Sequence, residues 1–179
     1  MLAFQRRFDA ALVHVKALLD AGRIQLEKDF LGKKLTMHDP CYLARHNDVH
    51  QAPRKILDKI PGMKREDVEQ SERKTFCCGA GGGQFWKEEE HDTARINVTR
   101  LDQLMETEPD TIAVGCPFCT TMMSDATKTK GIEEQVQVKD VVELVADSLK
   151  RTEAPQEAVV PPQQDAANPE AGEAPVEEG

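Results

Sequence analysis

The five cysteines of this chain fall in three groups: Cys41 alone, Cys77-Cys78 followed by Gly79, and Cys116-Pro117-Phe118-Cys119. The spacing reads C-x35-CCG-x36-CxxC. Thiolates are soft ligands that suit iron–sulfur clusters and zinc, so this order points to a metal centre. Structural zinc is the second reading, although it takes four ligands and gaps of about 35 residues match none of the short zinc-finger spacings. A disulfide framework sits badly with an odd cysteine count and no signal peptide. A thioredoxin-like use of Cys116 and Cys119 leaves three thiols without a task. The glycines at 79–83 lack the Lys-Ser/Thr ending of a phosphate loop.

Local sequence gives each group a setting. Cys41 follows an extended run, Lys34 to His38, and Pro40 discourages helix before it, so its thiol belongs where a strand hands over to a helix. Adjacent Cys77 and Cys78 reach one centre only across a sharp turn. Gly79, Gly81, Gly82 and Gly83 allow that turn and would cradle a bulky inorganic ligand with backbone N–H groups. Pro117 suits a first helical position, which puts Cys116 at the cap and Cys119 in the first turn, where the helix dipole favours thiolates. His38, Arg45 and His46 flank Cys41 and are candidates to donate hydrogen bonds to sulfur or to carry a proton. Each also reads as an ordinary structural side chain. Phe85 and Trp86 are candidate shields against water, or plain core aromatics.

The elements that must position these groups alternate. Apolar spacing predicts helices over 8–19, 52–60, 92–105, 117–130 and 141–149, the last capped by Asp140. Strands are expected at 34–38, 111–115 and 136–138, with a weaker one at 65–70. This order predicts an α/β fold, a three-layer domain with a small, mainly parallel sheet and cysteines at the strand-to-helix loops.

The chain has 179 residues and a net charge of −9, of which the segment from Arg151 onward carries −6. That segment, rich in Pro, Ala, Gln and Glu, reads as a disordered acidic tail at 151–179. Residues 1–30 read as an N-terminal helical segment of the domain and 31–150 as its cysteine-rich body. Near-neutral charge over the body offers no nucleic-acid footprint, and no apolar run reaches the ~20 residues of a membrane span.

Asp39-Pro40-Cys41-Tyr42, the run from Cys77 to Gly83, Arg95-Ile96-Asn97 and Cys116-Pro117-Phe118-Cys119 together resemble the CCG-motif cysteine-rich domain of heterodisulfide reductase and related iron–sulfur oxidoreductases. The resemblance extends over about residues 12–149. It implies that Cys41, Cys77, Cys78, Cys116 and Cys119 hold a [4Fe–4S] cluster, with a noncubane form using five thiolates in view. Arg95 and Asn97 would lie on a helix over it. It implies electron transfer to a disulfide or quinone-linked acceptor, a cytoplasmic setting, and a redox partner, with a flavoprotein donor among the candidates. No catalytic residue is indicated. The zinc alternative keeps a zinc-stabilised, non-enzymatic component of a larger oxidoreductase in view.

Such relatives carry two CCG motifs, and larger ones add ferredoxin-type cysteine runs and membrane helices. This chain has one motif and reads as the C-terminal repeat of such a protein, encoded separately or cut short. A second copy or a partner would then supply the other half, and Leu2, Phe4 and Phe8 are candidates for the surface that meets it.

Overall fold

The computed structural model describes residues 2–27, 30, 32–86 and 95–149. The acidic segment at 151–179 and the side chains of Leu2, Phe4 and Phe8 lie outside the described residues. Five helices, α1 (Leu2–Asp20), α2 (Gln51–Leu57), α3 (Ile96–Met105), α4 (Pro117–Lys130) and α5 (Val141–Ser148), accompany four strands. The strands are β1 (Lys34–His38), β2 (Lys64–Arg65), β3 (Thr111–Val114) and β4 (Gln137–Asp140). All pair in parallel, in the order β2-β1-β3-β4. The expected α/β architecture is the observed one.

Strand alternation builds two cores. Leu35 and Met37 of β1 and Ala113 of β3 join Leu12 and Leu19 of α1, Ile56 and Leu57 of α2, and Leu144 and Val145 of α5. On the other face, Ile112 and Val114 of β3 join Leu101 and Leu104 of α3 and Met123 and Ala126 of α4. Both central strands are covered on both sides, which is why β3 reads as an unbroken buried run, Thr-Ile-Ala-Val.

Helix boundaries follow their caps. Asp140 accepts from the Val142 N–H at 2.8 Å while Glu143 accepts from the Asp140 N–H at 2.9 Å, the reciprocal pair that starts α5. Gly131 stops α4 at φ 64°, in the left-handed region where glycine meets no Cβ penalty. Three expectations shift. The strand expected at 65–70 is only Lys64–Arg65, because Asp67 turns away to bind Arg54 and Arg65. The helix expected from 92 begins at Ile96, with Arg95 extended as its cap and 92–94 outside the described residues. Helix α2 ends at Leu57, and its expected last turn is a non-helical turn into Pro61-Gly62.

Candidate metal centre

In the order β2-β1-β3-β4 the chain leaves β1 toward one edge and returns through β3 on its other side. The crevice beyond the carboxyl ends of two such strands is where open α/β sheets bind ligands. His38 and Val114 pair at the last rung of β1 and β3, and Cys41 and Cys116 follow directly. Cys41 leads into a π-helical turn, Tyr42–His46. Cys116 is the extended cap of α4 (φ −161°, ψ 129°), with Pro117 at the first helical position and Cys119 in the first turn. This is the placement the sequence predicts.

Cys77 and Cys78 arrive differently. They lie in the long connection between β2 and α3, after a short 3-10 turn at Glu72–Lys74, and many residues along the chain from the nearest strand end. Asp39 and Arg100 tie that loop down. Asp39 accepts from the Glu72 N–H at 2.7 Å, Thr75 Oγ1 donates to the Asp39 carbonyl at 3.1 Å, and Arg100 Nη1 donates to the Gln70 carbonyl at 3.0 Å. Gly79 then turns the chain at φ 92°. A Cβ there would sit 3.2 Å from Ile96 Cβ and 3.3 Å from Met122 Cε, so both backbone angle and packing demand glycine. Gly82 (φ 64°) and Gly83 (φ 79°) need glycine for their angle, whereas added Cβ atoms at 81, 82 and 83 would meet open space.

The thiols converge. All five cysteines are free, with Cys78, Cys116 and Cys119 buried and Cys41 and Cys77 half-buried. The Cys119 thiol donates to Cys78 Sγ at 3.4 Å, and the Gly79 N–H donates to Cys77 Sγ at 3.3 Å. Hydrogen bonding from Cys119 holds the Cys78 thiol well below its usual range, against the opposing effect of burial. The same donor brings Cys116 down to about 6. Cys119 itself is pushed well above the usual range by the hydrogen bonds it gives to Cys116 and Cys78, with burial adding to the effect. Burial raises the Cys41 thiol, and charge on Cys77, Cys78 and Cys116 raises it further. Each of the three cysteine groups therefore feels the others, and hydrogen bonds from the Cys119 thiol favour the charged form of Cys78 and Cys116. Soft sulfur donors brought together, three of them buried and two half-buried, fit an iron–sulfur group.

The flanking candidates divide. His38 is fully buried at the thiols: a ring nitrogen lies with the sulfurs of Cys78 and Cys119, all within 4.8 Å of one another. Arg45 turns instead to the carbonyls of Thr75 and Arg73, bracing the loop that precedes Cys77. His46 is exposed and stacks on Tyr42, with ring centroids 5.0 Å apart. Arg95 bonds Asp125 at 2.9 Å and Thr129 at 3.2 Å, and Asn97 donates to the Met122 carbonyl at 3.1 Å and to Asp125 at 3.0 Å. These two residues clamp α3 to α4. Trp86 stands 82% exposed, so it does not act as the expected shield, and the side chain of Phe85 lies outside the described residues.

Other residues matter that spacing alone did not single out. Gly115 sits where a Cβ would come 3.1 Å from Leu43 Cδ1 and 3.7 Å from Pro40 Cγ, so its small size lets the Cys116 and Cys41 turns pack together. Arg54 grips Asp39 with two bonds, at 2.5 and 2.8 Å, both side chains buried. Arg100 is fully buried beside His38. Its signal was present: an arginine on the same helical face as Asn97, Leu101 and Leu104, the face that α3 buries.

A parallel three-layer domain with three cysteine groups gathered beside the ends of its two central strands defines a cysteine-rich α/β metal-binding domain. Residues 35–124 match the family described as "CCG: Cysteine-rich domain", and the chain belongs to that family. It is 49% identical over 119 residues to a "Probable iron-sulfur-binding oxidoreductase FadF" of Bacillus subtilis, covering 66% of this chain and 17% of that protein. It is 42% identical over 139 residues to an "EtfAB:quinone oxidoreductase" of Syntrophomonas wolfei (74% and 19%). It is 38% identical over 133 residues to one subunit of a "Dihydromethanophenazine:CoB--CoM heterodisulfide reductase" of Methanosarcina barkeri (74% and 31%). The chain thus spans less than a third of the length of each of these relatives. Among the described residues, no helix is long and apolar enough to cross a membrane.

Proposed function

We propose that this chain is an iron–sulfur electron-transfer domain of a larger oxidoreductase. Its five cysteines, Cys41, Cys77, Cys78, Cys116 and Cys119, would hold one [4Fe–4S] cluster, with the noncubane form accounting for a fifth thiolate. The observation that carries this reading is the convergence of three separately placed cysteine groups, with Cys119 sulfur 3.4 Å from Cys78 sulfur and the charges of Cys77, Cys78 and Cys116 acting on Cys41. The relatives named as iron–sulfur-binding and quinone oxidoreductases support iron over zinc.

When bound, the cluster supplies one-electron uptake and release. The chain's own residues do the rest. Burial of Cys78, Cys116 and Cys119 keeps water from the sulfurs, and Cys119 delivers the proton that must leave before all three ligate. Gly79 permits the turn that lets Cys77 and Cys78 act together, and the Gly79 N–H already donates to Cys77 sulfur. Electrons would pass to a disulfide or quinone-linked acceptor, with a second CCG-containing half or a flavoprotein as partner, in the cytoplasm or on a membrane complex reached through that partner.

Anaerobic purification followed by iron, sulfide and zinc analysis tests this. About four irons and four sulfides per chain, with an electron paramagnetic resonance signal that responds to dithionite, is the expected result. One zinc without iron would overturn it.

A further inference from the structure

His38 occupies a strand position between the two cores, yet it is 1% exposed and carries two ring nitrogens that need partners. One partner is fixed. Arg100 Nε donates to His38 Nδ1 at 3.1 Å. An arginine guanidinium has donors and no acceptor, so Nδ1 must be the unprotonated nitrogen and the ring proton must sit on Nε2. Among the described residues Nε2 has no hydrogen-bond partner of ordinary length, while the ring lies against the sulfurs of Cys78 and Cys119.

Arg100 is itself held rigidly. Nη1 donates to the Gln70 carbonyl at 3.0 Å and to Gln103 Oε1 at 2.9 Å, and Nη2 approaches Thr75 Oγ1 at 3.4 Å. Among the described residues no carboxylate bonds to it, although it is wholly buried. A buried cation hydrogen-bonded only to neutral acceptors is costly, and the charges of Asp39, Cys119 and Glu106 act on it without a hydrogen bond to it. Its Nε–H faces the imidazole, and the charge of Cys119 acts on the guanidinium.

We infer that Arg100 is a positioning residue that locks His38 in the Nε2–H tautomer, so that the imidazole presents its one N–H to the sulfurs of Cys78 and Cys119 and tunes the centre held there. This rests on the iron–sulfur reading for its redox consequence. An N–H presented to sulfur and a cation beside the imidazole both favour the more negative, reduced state, so together they raise the reduction potential. The arrangement also explains why the loop before Cys77 is tied to α3: Gln70 and Thr75 hold the guanidinium, and the guanidinium holds the histidine.

Two arms test it on the full chain. In the metal-free protein, long-range ¹H–¹⁵N correlation of the His38 ring shows the proton on Nε2, and Arg100→Met releases it to a mixture of tautomers. A proton on Nδ1 in the wild type overturns the inference. In the anaerobically loaded protein, His38→Phe and Arg100→Met each shift the one-electron equilibrium about tenfold toward the oxidised form, roughly 59 mV lower. His38→Gln, which keeps an N–H donor, stays near the wild-type potential. An unchanged potential in His38→Phe overturns the tuning role. A wild-type chain that takes up no iron defeats the iron–sulfur reading, and the tautomer arm still decides the role of Arg100.

Discussion

On one face of the sheet, Leu35 and Met37 join an apolar cluster with residues of α1, α2 and α5. On the other, Thr36 and His38, their neighbours in the same strand, point toward the face of α3 and α4, where Cys78, Cys116, Cys119 and a buried arginine are found. Among the described residues, the second face leaves Thr36 Oγ1 and His38 Nε2 without ordinary partners, a cost the first face does not carry at β1. A strand five residues long therefore separates a layer that supplies stability from a layer that spends it on a site.

The largest effect comes where the layers meet. Arg54 stands on α2 and holds Asp39, which precedes Cys41 and also anchors Glu72. Arg54→Met leaves a buried carboxylate unpaired and is expected to cost about 3–5 kcal/mol in denaturant unfolding, with loss of metal uptake in the same variant. Stability retained within about 1 kcal/mol would show that Asp39 finds other support.

Leu144→Ala, on the apolar face, should cost about 2–5 kcal/mol while the folded protein binds metal as before. A changed metal content per folded chain would mean that the two layers are not separable. Gly79→Ala inverts that outcome. Strain at φ 92° and contact with Ile96 and Met122 should cost about 1–3 kcal/mol and reduce metal content more than stability. Equal losses in both would make Gly79 a packing residue only.

The smallest effect is expected at the solvent edge of the cysteine face, where Lys130 of α4 pairs with Asp102 of α3. Both are well exposed, so Lys130→Ala should change stability by less than about 0.5 kcal/mol and leave metal binding intact. A larger loss would assign this pair a part in holding the site closed.

The cysteine pattern was legible because metal chemistry restricts residue type, and because strand ends and a helical first turn leave local marks: Pro40, Pro117 and the unbroken run Thr111 to Val114. The same marks gave β1, β3 and α4 almost to the residue. Where local signals were weak, tertiary contacts decided. Lys64 and Arg65 alone pair as β2, since Asp67 is drawn to two arginines. Charge near a cysteine said little about direction: Arg45 and Arg95 turn to backbone and carboxylate partners, whereas Arg100, more than twenty residues from Cys77 in the chain, reaches the site through His38.

By itself, the sequence determined which atoms can bind metal and the alternating elements that carry them, because ligand softness and hydrophobic period are properties of residue type and spacing. Only the tertiary structure decided which face of β1 meets the thiols, which arginine bonds to His38 and which ring nitrogen of that histidine holds the proton. Those follow from hydrogen bonds between segments distant in the chain, and a donor in sequence has no partner until the fold supplies one.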